Sequence, residues 1–427
     1  MTQSTIIRNL SRYRHFLLLG AGLFLLALGP AVTAVLAAEI TVPRIEMDSR
    51  GGFDDGEFSV SSRISADLAL TGGYKYSFLL GFTLETADIA RAFAYRNVQI
   101  NTLPAGGSVS TEEYNTLADQ LNNQAVLGFR IAKATVRDLF SLPLELSYFI
   151  GSDDDFCTGD EFVSRYGLTP FGTDFRGFFY FPDGIGSNPL RSYNGIYTVQ
   201  GAGISLGLTK WTNFTPMLYL YQDFGSPTDI LDGNNEKLYS GDLRFLFNRD
   251  RLKLEAFGGI SLNPGLDTNY RGGLMTYFSG GEGAELFAQG GITSWTPDEK
   301  LSVDNFYFLI EPRLHMGFFG IYVTFFYHPL EYNHIISSEE QGKANINLKF
   351  LFENTNSGLT GGIETGADLK TDDFKTAGSE RVVLRIAPFG TFISGGLQWD
   401  AKLQIKPLNK GEPKEMFEII IGVRTAY

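Results

Sequence analysis

Apolar and polar residues alternate along much of the chain. Between residues 239 and 248, one face carries Leu243, Phe245 and Phe247. The opposite face carries Ser240, Asp242, Arg244 and Asn248. The same alternation recurs at 344–352 and 397–405. A side-chain period of two is that of a β-strand, so the pattern predicts strands rather than helices.

These predicted strands are long. They run for about 9 to 13 residues, whereas strands of soluble proteins average about five or six. A strand tilted by about 45° needs about 9–11 residues to cross a bilayer. Strand after strand also has a polar face, which is too much polar surface for a packed core. We therefore expect a membrane-spanning β-barrel, with a soluble β-sandwich as the alternative.

The spacing of the turns predicts the strand number. Short turns alternate with longer polar loops, as in outer-membrane barrels, where both termini lie on one side and the strand count is even. We expect a single antiparallel barrel of about 18 strands, with about 16 as the fallback. The first strand is placed at Ile40–Asp48, although Pro43 weakens it. A short turn is predicted at Pro388–Phe392, and the longest loop at Gly151–Gly195.

The N-terminal residues predict export. Arg8, Arg12 and Arg14 precede an apolar run that starts at Phe16, and small residues follow up to Ala38. This arrangement is typical of a cleaved signal peptide. We expect residues 1–38 to be removed and residues 39–427 to form the barrel.

Charge and cysteine content exclude some classes. Removal of the three arginines takes the net charge from −13 to about −16. An acidic chain without basic clusters is a poor ligand for nucleic acid, because phosphate contacts need Lys and Arg. The single Cys157 excludes an intramolecular disulfide, so something other than cross-links must hold the chain together, and a closed hydrogen-bonded sheet would do so.

The last strand resembles the C-terminal signal of bacterial outer-membrane β-barrels, the porin-like family. The chain ends on an aromatic residue, with apolar residues at alternate positions before it. The resemblance implies that the barrel-assembly machinery reads Ile421, Val423, Thr425 and Tyr427, although Thr425 departs from the usual apolar preference. It also implies a bacterial outer-membrane location, with membrane lipid as the surrounding partner. No subfamily is recognised.

An 18-stranded barrel is too wide for side chains to fill, so a polar, water-filled lumen is expected. Charged residues on the polar faces of the strands are the candidates to line it. They are Arg244, Lys253, Glu255, Lys349, Glu364, Asp368, Arg385, Asp400 and Lys402. Mixed charges predict selection by size with little preference for charge.

The long loop at 151–195 is the candidate constriction. In porin-like barrels such loops often fold into the lumen, and here the acidic candidates are Asp153, Asp154, Asp155, Asp160 and Glu161. The alternative is an exposed, solvated loop. Phe318–Tyr327 is apolar on both faces, which suggests either cover on its inner side, for instance by this loop, or a subunit interface.

We expect no enzyme, metal site or cofactor. His315, His328 and His334 have no catalytic or ligand-spaced motif around them, although His328 or His334 with Glu331 could imitate a rim catalytic site. The first hypothesis for function is passive diffusion of small solutes or ions. The alternatives are a transporter for hydrophobic substrates, for which Phe257, Leu351 and Leu79 are scattered candidates, and a surface adhesin or structural barrel with a closed lumen. The oligomeric state is left open between monomer and trimer.

Overall fold

The computed structural model describes residues 39–54, 57–72, 75–86, 126–173, 175, 195–209, 213–223, 238–262, 268–298, 300–302, 305–328, 343–354, 358–370, 382–408 and 416–425. The predicted signal peptide, residues 1–38, lies outside this part of the chain. No helix within it is long and apolar enough to cross a membrane.

The described residues form 18 strands, in agreement with the predicted number. They are β1 (Glu39–Asp54), β2 (Glu57–Gly72), β3 (Tyr76–Thr86), β4 (Val126–Arg137), β5 (Leu144–Phe156), β6 (Tyr197–Leu208), β7 (Phe214–Asp223), β8 (Leu238–Arg249), β9 (Leu252–Leu262), β10 (Asn269–Gly281), β11 (Ala284–Trp295), β12 (Phe306–Met316), β13 (Phe319–His328), β14 (Lys343–Asn354), β15 (Leu359–Lys370), β16 (Val382–Ser394), β17 (Leu397–Ile405) and β18 (Phe417–Thr425). One short α-helix, α1 (Asp160–Tyr166), and a single 3-10 turn, Leu139–Ser141, complete the described elements.

Each strand pairs antiparallel with the next one along the chain, from β1–β2 to β17–β18. The last strand also pairs with the first, over Glu46↔Arg424 to Gly52↔Glu418. Every strand therefore has a neighbour on both sides, so the ring of pairings has no free edge.

The two ends of the barrel differ in their connections. At one end, here called the turn end, strands are joined by two to six residues, as at 250–251 and 317–318. At the other, the loop end, most connections are longer, such as 157–196 and 329–342. The exceptions at the loop end are 55–56, between β1 and β2, and the six residues 263–268, between β9 and β10. This alternation is the one that the sequence predicts for an outer-membrane barrel.

The outer face of the barrel is apolar. Large side chains at alternate positions are exposed, including Leu220, Leu243, Leu274, Ile310 and Ile346. Aromatic pairs lie near both ends of this face. At the turn end the rings of Phe392 and Trp399 are 6.3 Å apart, and at the loop end those of Tyr270 and Trp295 are 6.0 Å apart. An apolar band flanked by aromatic girdles is the surface that a bilayer requires.

One predicted turn position is wrong. The chain does not turn at Pro388–Phe392, because β16 continues to Ser394 and turns at Gly395 and Gly396, whose φ values are +63° and +76°. Glycine adopts such angles without steric cost. Pro388 lacks an N–H, and the pairing of β16 with β17 is interrupted between Ile386 and Phe389.

The first strand is longer than predicted, since β1 runs to Asp54 and not to Asp48. Pro43 is accommodated by a bulge: between Thr41 and Arg44, two residues of β1 oppose one residue of β2. A bulge takes a residue out of the hydrogen-bond ladder, and proline cannot donate to that ladder.

The apolar outer face predicts a depth-dependent cost of charge. Leu243 lies at the middle of β8 and is exposed, so Leu243→Arg should lower the free energy of unfolding by about 2–4 kcal/mol in lipid. Guanidinium titration of the barrel refolded in phosphatidylcholine vesicles measures this.

Leu359→Arg provides the control, because Leu359 is similarly exposed on the outer face but lies at the turn end of β15. Its cost should be about 0–1 kcal/mol. Equal costs at the two positions would argue against a membrane-embedded outer face.

Candidate functional site

A segment of the long connection after β5 lies against the inner face of the barrel. We call residues 157–173 and 175 the inner segment. It contains α1, which is bounded by Gly159 and Gly167, with φ values of +92° and +65°. From β5 its contacts extend across the inner face to β13, about half of the strands. The described part of the long loop therefore lies within the barrel.

Polar contacts hold α1 near the turn end. Arg165 forms ion pairs with Glu161 on the same helix and with Glu145 on β5. The hydroxyl groups of Tyr166 and Thr215 are 2.8 Å apart. Glu145 and Thr215 are each the second residue of a strand that follows a short connection, which places this end of α1 deep in the barrel.

Cys157 is held through its backbone. Its N–H donates to Glu255 Oε1 on β9 at 2.6 Å, and its carbonyl oxygen accepts a hydrogen bond from Gln289 on β11. Glu255 is itself buried and accepts from Arg244 Nε at 2.8 Å. A buried charge pair is costly unless both partners have such hydrogen bonds, so this pair fixes the start of the inner segment.

Strand β12 holds the other end of the inner segment. Arg313 donates to the carbonyl oxygens of Phe171 at 3.3 Å and Gly172 at 2.5 Å. Thr173 Oγ1 donates to Glu311 Oε2 at 2.8 Å. Glu311 and Arg313 also bond to each other, and both are buried. The backbone of the inner segment thus replaces water as the partner of these wall charges.

Aromatic packing fills the space between these anchors. Phe162 is fully buried, and Phe171 stacks on Tyr277 of β10 with ring centroids 4.5 Å apart. Phe175 packs against Phe326 of β13 at 5.5 Å. The inner side of the apolar strand β13 is therefore covered by the inner segment at Phe326, which was one of the two alternatives predicted for Phe318–Tyr327.

Two glycines make room for the chain as it returns to β6. A Cβ atom on Gly273 would lie 2.8 Å from Ile196 Cδ1 and 2.6 Å from Phe257 Cε1. A Cβ atom on Gly291 would lie 2.5 Å from the carbonyl oxygen of Gly272. Side chains at these two positions would displace the buried Ile196, which packs over them.

Burial and neighbouring charges shift the pKa values of two ionisable groups in the inner segment. Burial raises the pKa of the Cys157 thiol well above its usual range. Burial alone would lower the pKa of Arg165, but the carboxylates of Glu161 and Glu145 outweigh it and raise the pKa. The thiol is therefore neutral and unreactive, and the guanidinium is firmly charged.

The three consecutive aspartates are not loop residues. Asp153, Asp154 and Asp155 lie on β5, which continues to Phe156, so the loop prediction is wrong for them. A bulge between Ser152 and Asp155 interrupts the register with β6. Three adjacent charges are unusual in a strand, but each of these finds a partner. The partners are Lys133 for Asp153, the Tyr219 hydroxyl and Arg244 for Asp154, and Thr198 for Asp155.

The other two acidic candidates belong to α1. Asp160 is exposed at its first residue, and Glu161 pairs with Arg165. Glu161 is thus a structural partner within the inner segment. The anchors that sequence reasoning missed lie on the wall, chiefly Glu145, Gln289, Glu311 and Arg313. The available signal was Glu311 and Arg313 themselves, two charges at alternate positions of an otherwise apolar strand.

All nine predicted lining residues lie on the inner face, opposite the exposed apolar positions. Seven are buried: Arg244, Lys253, Glu255, Lys349, Glu364, Asp400 and Lys402. Asp368 and Arg385 are partly buried and form an ion pair with each other. Arg244 and Glu255 support the inner segment, as described above, and Lys253 donates to the carbonyl oxygen of Asp250 at 2.5 Å.

The remaining lining residues form a charged wall on β14 to β17. Lys402 Nζ of β17 lies 2.7 Å from Glu364 Oε2 of β15. The two side chains meet across β16, where the small buried Ala387 leaves room for them. Lys349 lies over the rings of Tyr322 and Phe389, at 5.2 and 5.5 Å from their centroids. Asp400 accepts from Thr391 Oγ1 at 2.6 Å. Carboxylates and cations alternate on this wall, which gives it little net charge.

The three apolar residues considered for hydrophobic substrates do not lie together. Phe257 packs on Phe156 within the aromatic region around the inner segment, with centroids 4.9 Å apart. Leu351 lies in a separate small cluster with Tyr322 and Phe389. Leu79 is half-buried on β3.

Of the three histidines considered, the structure describes the side chain of His315 alone. His315 lies on β12, and its Nε2 is 3.4 Å from the Tyr322 hydroxyl and 3.9 Å from Glu285. Glu331, His334 and the side chain of His328 lie outside the described part of the chain. Among the described residues, no group of three or more His, Cys, Asp or Glu side chains could hold a metal ion.

The residues of the predicted assembly signal lie on the closing strand. Ile421 is exposed on the outer face of β18, and Thr425 Oγ1 accepts a hydrogen bond from the Ile45 N–H of β1 at 3.2 Å. Val423 is partly buried on the same strand, and Tyr427 lies outside the described residues.

Comparison with known proteins finds likeness in structure only. No protein-family model matches the sequence, and no curated protein matches it. Among solved structures, a porin mutant from Rh. blastica is 10% identical, with a TM-score of 0.45, and the match covers 91% of this chain and 100% of that one. The Escherichia coli outer-membrane protein Wzi, described as a carbohydrate-binding β-barrel involved in group 1 capsule assembly, is 10% identical, with a TM-score of 0.47 and coverage of 90% and 84%. Salmonella typhi OmpF, in complex with daunomycin, is 8% identical, with a TM-score of 0.43 and coverage of 91% and 97%.

The class of the protein follows from its own geometry. A ring of 18 antiparallel strands with an apolar outer face, aromatic girdles, short turns at one end and longer loops at the other is the architecture of bacterial outer-membrane β-barrels. The chain therefore has the fold of a porin-like outer-membrane β-barrel.

The anchors on β12 predict a measurable change in the inner segment. Arg313→Met should release the backbone at Phe171 and Gly172 and leave Glu311 buried without its cation. Removal of one partner of a buried pair costs about 3–5 kcal/mol. We expect Cys157, unreactive in the native barrel, to be labelled by a water-soluble maleimide at least about tenfold faster in this variant.

Arg251→Met is the matched control, because Arg251 is exposed at the turn between β8 and β9. It should leave the labelling rate unchanged. Equal rates in all three proteins would mean that Arg313 does not hold the inner segment in place.

Proposed function

We propose that this chain is an outer-membrane channel through which small solutes or ions diffuse, and that the inner segment narrows its lumen. The observation that carries the proposal is the attachment of the inner segment to both sides of the lumen wall, from Glu145 on β5 to Phe326 on β13. A segment attached in this way reduces the cross-section of the lumen that is available to a solute.

The charges of the inner wall support weak selection by charge. The ion pairs Glu364–Lys402 and Asp368–Arg385 each place a positive charge next to a negative one. Rings of mixed charge favour neither anions nor cations strongly, so solute size would be the main criterion.

Assembly and export complete the proposal. Residues 1–38 direct secretion, and Ile421, Val423, Thr425 and Tyr427 serve recognition by the barrel-assembly machinery. The position of β18 supports this role, because it pairs with both β17 and β1 and is the strand that closes the ring.

Single-channel recording in planar lipid bilayers tests the channel. The variant to compare with the intact mature protein replaces residues 157–196 by an Asn-Gly turn. Phe156 and Tyr197 are directly paired across β5 and β6, so a two-residue hairpin turn can join them without disturbing the ladder. We expect stable ohmic steps from the intact protein and larger steps from the shortened one.

Two other outcomes would favour a different function. If the intact protein is silent and the shortened one conducts, the inner segment is a plug. That result would favour the second candidate, a substrate-specific transporter, for which the aromatic region at Phe156, Phe257 and Phe171 offers an apolar path. If both are silent although both migrate as heat-modifiable barrels, the channel proposal fails, and an adhesin or structural barrel with a closed lumen remains.

A further inference from the structure

The outer face of the barrel has an apolar groove near its loop end. It lies on β10, β11 and β12 and has a volume of about 690 Å³. Its floor is formed at Gly272 and Gly290, where the outer face has no side chain. Its walls are aromatic: Tyr270, Trp295, Phe306 and Phe308. The groove is therefore a concave apolar site on the lipid-facing surface.

The depth of the groove follows from the glycines. A Cβ atom on Gly290 would have no neighbour closer than 3.8 Å, the carbonyl oxygen of Tyr307. Position 290 therefore has room for a side chain larger than that of glycine. The structure of the barrel does not require glycine there, in contrast to Gly291, where a Cβ atom would meet backbone at 2.5 Å.

The position of the groove identifies what it contacts. It is continuous with the lipid-facing band, because Phe308 and Ile310 follow one another on the outer face of β12 and both are exposed. The rings of Tyr270 and Trp295, 6.0 Å apart, stand at the loop end of the groove, where girdle aromatics meet the lipid headgroups. A narrow apolar groove that opens into hydrocarbon fits a flexible hydrocarbon chain.

We propose that this groove is a binding site for one fatty acyl chain of a membrane lipid, held between Trp295 and the phenylalanines of β12. The site lies outside the lumen and does not depend on the proposed channel function. Bound lipid there would cover the glycine-rich part of the wall, where the strands have few side chains on their outer face.

Fluorescence quenching of Trp295 tests the site. Trp211 and Trp399 are the other two tryptophans, so the background variant carries Trp211→Phe and Trp399→Phe. The refolded barrel in detergent micelles is titrated with phosphatidylglycerol that has brominated acyl chains. We expect quenching that saturates at about one lipid per barrel, as a discrete site requires.

Two leucine variants separate binding from general contact with lipid. Gly290→Leu fills the groove and should weaken the saturable quenching by about tenfold or more. Gly390→Leu is the matched control on the outer face of β16, where a Cβ atom would lie 4.0 Å from the nearest atom, and it should leave the titration unchanged. Heat-modifiable migration on a gel shows that each variant is folded.

Three results would overturn the proposal. The first is quenching that rises linearly with lipid in every folded variant. The second is saturation that survives in Gly290→Leu. The third is protection of Trp295 from the brominated lipid together with self-association in sedimentation, which would make a second copy of this chain the occupant.

Discussion

The structure depends on the pairing of the last strand with the first. In a bilayer no water is available to an unpaired backbone N–H or carbonyl group, and each such group costs several kcal/mol. The pairing of β18 with β1, from Glu46↔Arg424 to Gly52↔Glu418, removes the two edges that an open sheet would present to lipid. Once the ring is closed, every strand must divide its side chains between lipid and lumen. The alternation of residues such as Leu243 and Arg244 follows from that division.

Closure of the ring also places charged side chains on the inner face, and the inner segment provides partners for some of them. Charges that face inward are removed from bulk water and need partners, because an unpaired buried charge is far more costly than a paired one. On β14 to β17 the wall supplies its own partners, as in Glu364–Lys402. On β9 and β12 part of the partners come from the inner segment, whose backbone contacts Glu255 and Arg313. The inner segment and the wall are thus one polar and aromatic network, which ties the geometry of the lumen to a single loop.

The features that the sequence predicts correctly are local and repeated. The period of two, the strand length, the even strand number and the inner positions of Arg244 or Lys402 all come from residues close to one another in the chain. Particular positions differ from their predictions for physical reasons. Asp153–Asp155 looked like a loop because three adjacent acids are unfavourable in an isolated strand, and their partners Lys133, Arg244 and Thr198 lie on other strands. Pro388 looked like a turn because it cannot donate to a ladder, yet β16 carries it with a local interruption of the pairing.

By itself, the sequence determined that this chain forms a membrane barrel and which face of each strand meets lipid, because side-chain alternation is a property of the extended backbone. Only the tertiary structure decided which inward residues contact each other. Glu145 and Arg165, or Glu311 and Thr173, are brought together by the curvature of the ring and the path of the inner segment across it. The outer groove at Gly290 likewise depends on the register of β10, β11 and β12. A glycine in one strand forms a groove only when side chains of the neighbouring strands stand beside it.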